Sequence, residues 1–270
     1  MKIALVQMEC RWGEIARNIA AMEAFVSKAR KNGADIVVFP ELSVTGIYKD
    51  DRVWDLAEDI GGPSVARMCD IARSHGAIVG FGFTERANPL PYNAYALANA
   101  DGTLVGIYRK NHIPRLEVPW WQGHFARPVF PVAGKRFAVA ICWDTTQPEL
   151  LAEYGRKGAQ IVLMPHAWDA DPLGLDGKDL EHNTMQELYD HYAKGRLGGW
   201  RSHDGMLEQF LRYIPAQARK NRFYALFVNQ AGQPHPVLHM AGPTFAVTPE
   251  GELMVCTSNG KEQTLYVDIP

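Results

Sequence analysis

The sequence lacks an excess of charge of either sign and any long apolar run. Its 28 Lys and Arg residues nearly balance 30 Asp and Glu residues, which leaves a formal net charge of −2. Without a basic surplus there is no electrostatic basis for binding nucleic acid or an acidic membrane. No stretch approaches the roughly 18 consecutive apolar residues of a membrane-spanning helix. We therefore predict that neither nucleic acid nor a membrane is a partner.

Closely spaced cysteines are also missing. The four cysteines lie far apart, at Cys10, Cys69, Cys142 and Cys256. Their separation gives no metal-ligand spacing, and a chain of 270 residues buries enough core to fold without disulfides. The apolar run at residues 3–6 is too short for a secretion signal. We expect reduced thiols and a cytoplasmic location.

What is present is an alternation of short apolar strands with amphipathic helices. Apolar residues of 14–31 recur at spacings of three and four, which predicts a helix with one buried face. Such alternation early in the chain indicates a parallel sheet covered by helices. The predicted helices are 14–31, 64–74, 148–157 and 206–221. The predicted strands are 3–8, 35–39, 77–84, 92–98, 103–109, 136–141, 160–164 and 223–229, with two or three antiparallel strands after them.

One segment does not fit this alternation. Residues 169–204 are polar, rich in glycine and too long for an ordinary connection. We interpret them as an insertion, either a lid or an oligomer contact, within a single domain that spans 1–270.

Three residues with reactive side chains each follow a predicted strand. They are Glu41, Lys110 and Cys142. Functional residues gather at the carboxyl ends of strands in sheets covered by helices, so these three side chains are candidates for one pocket. Taken singly, each has a simpler interpretation: a solvated glutamate, an ordinary lysine, or an inert buried thiol.

The residues around them favour the functional interpretation. Three stretches resemble, in order and spacing, the signature blocks of the nitrilase superfamily of carbon-nitrogen hydrolases. These are FPEL at 39–42, YRKNHI at 108–113, and ICWD at 141–144 with PE at 148–149. The stretch GAQIVLMP at 158–165 is similar too.

The resemblance implies a catalytic Glu–Lys–Cys set, carried here by Glu41, Lys110 and Cys142. Glu117, with Trp120 and Gly123 after it, resembles the second glutamate of the family, although a solvated loop carboxylate remains the alternative. The implied fold is α/β, a four-layer α-β-β-α sandwich that forms a homodimer or a larger homo-oligomer. No cofactor or metal is expected, because this chemistry needs none and no phosphate-binding glycine loop is present.

The chemistry also follows from the residue types. A thiolate can attack an amide or nitrile carbon and form a thioester, and a neighbouring lysine lowers the pKa of a thiol. The ammonium and the backbone N–H of Trp143 would hold the oxyanion, while Glu41 would move the protons. We expect Trp143, Trp120, His166 and Trp168 to line the substrate pocket. A Cys–His dyad with His112 or His166 is the alternative, but His112 is better explained as a structural hydrogen-bonder.

The expected substrate is a small linear amide or an N-carbamoyl amine. Parts of the sequence are weakly similar to the N-carbamoylputrescine amidase branch of the family. Two other hypotheses remain open: a nitrilase that uses the same residues, and a binding protein that keeps the fold without catalysis.

Overall fold

Two six-stranded sheets pack face to face in the computed structural model, which describes residues 1–169, 203–236 and 238–270. In the first sheet the strand order is β14-β1-β2-β3-β4-β5. Strands β1, β2 and β3 are parallel to one another, while the remaining pairs are antiparallel. The bounds are β1 Lys2–Gln7, β2 Ile36–Val38, β3 Ile78–Glu85, β4 Tyr92–Ala98, β5 Leu104–Arg109 and β14 Gln263–Asp268.

The second sheet has the order β13-β12-β9-β8-β7-β6, with β7, β8 and β9 parallel. Its strands are β6 Phe130–Val132, β7 Lys135–Val139, β8 Ile161–Pro165, β9 Tyr224–Val228, β12 Phe245–Val247 and β13 Leu253–Cys256. Strands β10 (Ala231–His235) and β11 (Leu238–Ala241) form a separate hairpin. The sheets are therefore mixed, whereas the early strand–helix alternation indicated a parallel one and the closing strands were predicted to be antiparallel. Antiparallel pairs arise in hairpins such as β6–β7 and where the closing strands β12 and β14 pair with β9 and β1.

Helices cover the outer face of each sheet. The helices are α1 Ile15–Lys31, α2 Arg52–Leu56, α3 Pro63–His75, α4 Pro148–Arg156, α5 His203–Leu211 and α6 Ile214–Asn221, with a 3₁₀ helix at Cys142–Thr146. Of these, α2 packs through Val53 in a separate apolar cluster. The prediction of one helix over 206–221 was wrong, because α5 ends at Leu211 and α6 begins at Ile214, with Pro215 in its first turn. A proline has no amide hydrogen to donate, and its ring collides with the carbonyl group four residues earlier.

The period of two in β1 shows how the layers are built. Ala4 and Val6 pack in the apolar cluster that contains α1 and α3, while Ile3 and Leu5 pack in the cluster between the sheets. Buried residues of α4 and α6 join the core from the far side of the second sheet. The resulting order is helix, sheet, sheet, helix, which confirms the predicted four-layer α-β-β-α sandwich.

Two further expectations concern the insertion and a membrane-spanning helix. Most of the predicted insertion, residues 170–202, lies outside the described residues, so its role and the single-domain organisation stay predictions. Among the described helices, none is long and apolar enough to cross a membrane.

Candidate functional site

Glu41 stands at the end of β2 in a tightly supported turn. The next residue, Leu42, has a positive φ of 48°, which is uncommon for a residue with a side chain. This turn lies directly on Gly82 of β3, where an added Cβ atom would come within 2.2 Å of the Leu42 nitrogen. The amide of Gln230 donates to the backbone carbonyl of Glu41 at 2.8 Å. The backbone of Glu41 is thus fixed from both sheets.

The Glu41 carboxylate is buried and accepts three hydrogen bonds. Lys110 Nζ and Asn93 Nδ2 donate to Oε1 at 2.8 and 2.7 Å, and the backbone N–H of Ala167 donates to Oε2 at 2.8 Å. Burial raises the pKa of Glu41 above its ordinary value, although the charge of Lys110 opposes this change. A carboxylate with a raised pKa is suited to accept a proton and return it.

Lys110 reaches the site from β5, which runs in the same direction as β2 because two antiparallel pairings separate it from β3. Its ammonium lies between two carboxylates, at 2.8 Å from Glu41 Oε1 and 2.9 Å from Glu117 Oε2. We call these three residues the acid–lysine cluster. Burial lowers the pKa of Lys110, but Glu117 and Glu41 raise it by more, so that it stands well above its ordinary value. The lysine therefore stays charged.

Cys142 enters from the second sheet, at the start of the 3₁₀ helix that follows β7. Its φ is 47°, and the hydroxyl of Thr145 stabilises the turn by donating to the Cys142 carbonyl at 2.7 Å. The residue is buried with 6% of its surface exposed, and its thiol lies within the electrostatic reach of Glu41, Lys110 and Glu117. The structure thus brings Glu41, Lys110, Glu117 and Cys142 together from two sheets.

The ionisation of the thiol differs from expectation. The positive charge of Lys110 does lower the pKa of Cys142, as predicted from the sequence. Burial and the charge of Glu41 raise it by more, so the pKa lies well above its ordinary value. The Cys142 side chain is therefore a neutral thiol rather than a thiolate.

The two histidines of the alternative dyad have other partners. His112 Nδ1 lies 2.8 Å from Asp144 Oδ1, which agrees with its expected structural role. His166, predicted as a pocket residue, is fully buried, with Nδ1 at 2.8 Å from the Met164 carbonyl and Nε2 at 3.3 Å from Thr145 Oγ1. Burial lowers the pKa of His166 to about 3, so the ring is neutral.

The tryptophans predicted to line the pocket occupy different depths. Trp143 is 39% exposed, and its ring lies 6.1 Å from that of the partly buried Trp168. We call these two residues the tryptophan pair. Trp120 packs at the edge of a third apolar cluster that includes Leu42, which follows Glu41, and Ala167, which donates its N–H to the Glu41 carboxylate. Trp120 and the tryptophan pair thus lie close to the acid–lysine cluster.

Several residues that support the site were not predicted. Asn93 holds Glu41, and Asp144 joins the segments around Lys110 and Cys142. Asn93 interrupts an otherwise apolar strand, and a buried polar residue in a strand requires a partner. That signal is visible in the sequence, whereas the partner is not. Within the described ranges, no group of three His, Cys, Asp or Glu side chains is arranged to hold a metal ion.

Comparison with known families gives one match across the chain. A family model described as carbon-nitrogen hydrolase matches residues 2–270. Among solved structures, an amidase of the nitrilase superfamily from Nesterenkonia AN1 superposes with a TM-score of 0.80, covering 100% of this chain and 90% of that one. Its sequence identity is 21%, so this likeness concerns the fold.

Curated relatives carry three different activities in their names. N-carbamoylputrescine amidase of Arabidopsis thaliana is 34% identical over 198 residues, or 68% of this chain and 65% of that protein. Citrullinase of Francisella tularensis is 31% identical over 69% of this chain and 68% of its own length. Nitrilase of Pyrococcus abyssi is 31% identical over 100% of this chain and 89% of that enzyme. The match to the Arabidopsis thaliana amidase thus spans just under two thirds of that protein.

Proposed function

The chain belongs to the carbon-nitrogen hydrolase family, and from that premise we propose that it hydrolyses a non-peptide C–N bond with Cys142 as the nucleophile. The substrate class is a small linear amide or an N-carbamoyl amine. The observation that carries the proposal is the contact of the buried Lys110 ammonium with Glu41 at 2.8 Å, combined with the electrostatic effect of both residues on the buried Cys142 thiol.

Acylation begins with a proton transfer. The Cys142 sulfur attacks the carbonyl carbon while its proton passes to Glu41, because the raised pKa of the thiol leaves little thiolate beforehand. Glu41 then gives this proton to the departing nitrogen, the C–N bond breaks, and ammonia or an amine leaves. The acyl or carbamoyl group remains on the sulfur as a thioester or thiocarbamate.

The oxyanion of the tetrahedral intermediate needs fixed positive charge. Lys110 supplies it, since its pKa stands well above the ordinary value and its ammonium is held in place by Glu41 and Glu117. The backbone N–H of Trp143 lies in the first turn of the 3₁₀ helix, where N–H groups have no partner within the helix. Loss of one oxyanion donor typically costs about 3–4 kcal/mol of transition-state stabilisation.

Deacylation reverses the direction of proton movement. Glu41 takes a proton from water, the resulting hydroxide attacks the thioester carbon, and the sulfur leaves as the thiol after Glu41 returns the proton. Glu117 keeps Lys110 oriented during both halves of the reaction. Its carboxylate also balances the buried charge of the lysine, which would otherwise be costly.

The activities of the curated relatives support a carbamoyl or amide substrate, because N-carbamoylputrescine amidase and citrullinase both act on compounds with a ureido group. The tryptophan pair and Trp120 offer apolar walls for the remainder of such a molecule. Nitrilase activity is the second candidate, favoured by a relative of that name that aligns with the whole chain.

The test is a substrate panel of linear amides, N-carbamoyl amines and nitriles, with ammonia release as the measurement. We expect turnover of an amide or carbamoyl compound by the wild type, and none by Cys142→Ala. Cys256→Ala, which removes an exposed thiol, is the matched control and retains full activity. Activity on nitriles alone would select the second candidate. A Cys142→Ala variant with wild-type turnover would refute the mechanism, and an inert wild type would favour the binding-protein hypothesis.

The assembly and cellular location of the protein remain part of this proposal. We propose a cytoplasmic homodimer or larger homo-oligomer, and analytical ultracentrifugation measures the assembly. A monomer at all concentrations would overturn that part without affecting the chemistry.

A further inference from the structure

Asp144 presents a buried carboxylate that faces hydrogen-bond donors from two segments. Its Oδ2 accepts from the Tyr108 hydroxyl at 2.7 Å, from the Ile141 N–H at 3.1 Å and, at a longer 3.4 Å, from the Asn111 N–H. Its Oδ1 accepts from the His112 N–H at 2.9 Å and lies 2.8 Å from His112 Nδ1. A carboxylate only accepts, so Nδ1 of this histidine carries the proton.

These donors come from both sheets of the sandwich. Tyr108, Asn111 and His112 flank Lys110 in the chain, at and just beyond the end of β5. Ile141 and Asp144 flank Cys142, beyond the end of β7. One side chain thus connects the segment that carries the ammonium with the turn that carries the sulfur.

The turn needs such support because Cys142 has a positive φ of 47°. A residue with a side chain in this region keeps its conformation only when its surroundings hold it there. Asp144 does this at short range, since its own N–H donates to the Ile141 carbonyl at 2.9 Å while its carboxylate accepts from the Ile141 N–H.

We propose that Asp144 is a positioning residue, which sets the separation between the Lys110 ammonium and the Cys142 sulfur without contacting the substrate. This inference rests on the proposed function, because the separation matters for holding an oxyanion formed at Cys142. An asparagine cannot replace Asp144, because its NH₂ group would face donors on one side of the carboxylate. The expected result of the change is misplacement of the ammonium or the turn.

The first measurement is the steady-state kinetics of Asp144→Asn on the best substrate of the panel. We expect kcat to fall by about 10²-fold, since a misplacement of about 1 Å costs that much, while KM stays within about threefold. Asp101→Asn is the matched control, since Asp101 is an exposed carboxylate that also accepts hydrogen bonds and lies before the opposite end of β5. It should behave like the wild type. A raised KM with unchanged kcat would overturn the proposal.

The second measurement does not depend on any substrate. Iodoacetamide labelling of Cys142 is followed against pH by peptide mass spectrometry. Removal of the Asp144 charge alone would lower the pKa of the thiol, whereas movement of Lys110 away from the sulfur would raise it. We expect the half-maximal pH to shift upward by about one unit, and a downward shift or none would overturn the proposal. An inert wild type would refute the proposed function, while this profile would still decide the role of Asp144.

Tyr108→Phe keeps the inference testable where Asp144→Asn does not fold. It removes one donor and leaves the carboxylate in place. We expect a folded protein whose kcat is roughly three- to tenfold lower, with KM unchanged, the size of effect that one hydrogen bond gives. A folded Tyr108→Phe variant with wild-type kcat would overturn the proposal.

Discussion

The acid–lysine cluster and the tryptophan pair are neighbours in the site, yet they are held in different ways. Glu41, Lys110 and Glu117 are buried and joined by short hydrogen bonds at 2.8 and 2.9 Å. Trp143 is 39% exposed, and its ring meets Trp168 only through a tilted contact at 6.1 Å. From this difference we expect that the cluster determines the proposed reaction and that the tryptophan pair contributes to the choice of substrate.

The largest effect is expected at Lys110. Lys110→Met leaves Glu41 and Glu117 buried without their shared cation, so turnover should be lost and the free energy of unfolding should fall by about 3–5 kcal/mol. Urea unfolding measures the second quantity. Lys157→Met is the control, since Lys157 forms a partly exposed pair with Glu153 and should change stability by at most about 1 kcal/mol. Equal destabilisation of the two variants would contradict the account of the cluster.

Glu41→Gln should lower kcat and, at the same time, lower the pKa of the Cys142 thiol. Without the base, kcat should fall by about 10²–10⁴-fold. The charge of Glu41 raises the pKa of Cys142, so its removal should shift the half-maximal pH of iodoacetamide labelling downward. Stopped-assay kinetics and peptide mass spectrometry measure the two effects. A variant with reduced kcat and an unchanged or raised labelling pH would show that Glu41 does not act on the thiol directly.

The buried, neutral His166 should make the stability of the protein depend on pH. Its pKa of about 3 lies below that of an unfolded histidine near 6.5, so the unfolded chain binds one more proton between these values. Stability is therefore present above pH 6.5 and declines as the pH falls, by up to about 1.4 kcal/mol per unit from this residue. In His166→Asn, the slope of unfolding free energy against pH between 4 and 6 should be shallower. An unchanged slope would contradict this assignment.

The smallest effect is expected at the tryptophan pair. Trp168→Ala should raise KM by roughly fivefold and alter the ranking of substrates, while kcat stays within about threefold. Trp54→Ala removes an exposed tryptophan on α2 and serves as the control. A large loss of kcat with unchanged KM in Trp168→Ala would contradict the division between the cluster and the pair.

The sequence predicted the parts of the site that local patterns encode. Each of Glu41, Lys110 and Cys142 follows an apolar strand, and their family motifs occur in order, so their meeting in space could be expected. The pKa of the Cys142 thiol could not be predicted from the sequence. It depends on burial and the charge of Glu41, which together outweigh the charge of Lys110. To predict this balance one needs the distances between residues that are remote in the chain.

The fold shows the same limit. Helix α1 follows from a 3.6-residue period, and its buried apolar residues, Ile19, Met22, Val26 and Ala29, lie on the one predicted face. The break before Pro215 was also readable from the sequence, since proline seldom continues a helix, but the prediction ran one helix through it. The packing of two sheets came from the family resemblance alone, because periodicity says which face of a strand is buried and not what covers it.

The proposed mechanism depends most directly on a covalent intermediate at Cys142. Rapid-quench mass spectrometry with the best amide or carbamoyl substrate tests it. We predict an adduct with the mass of the acyl or carbamoyl group on the peptide that contains Cys142, formed before product accumulates and absent in Cys142→Ala. Turnover at the full rate with an adduct on another residue, or with none at any time, would contradict the account.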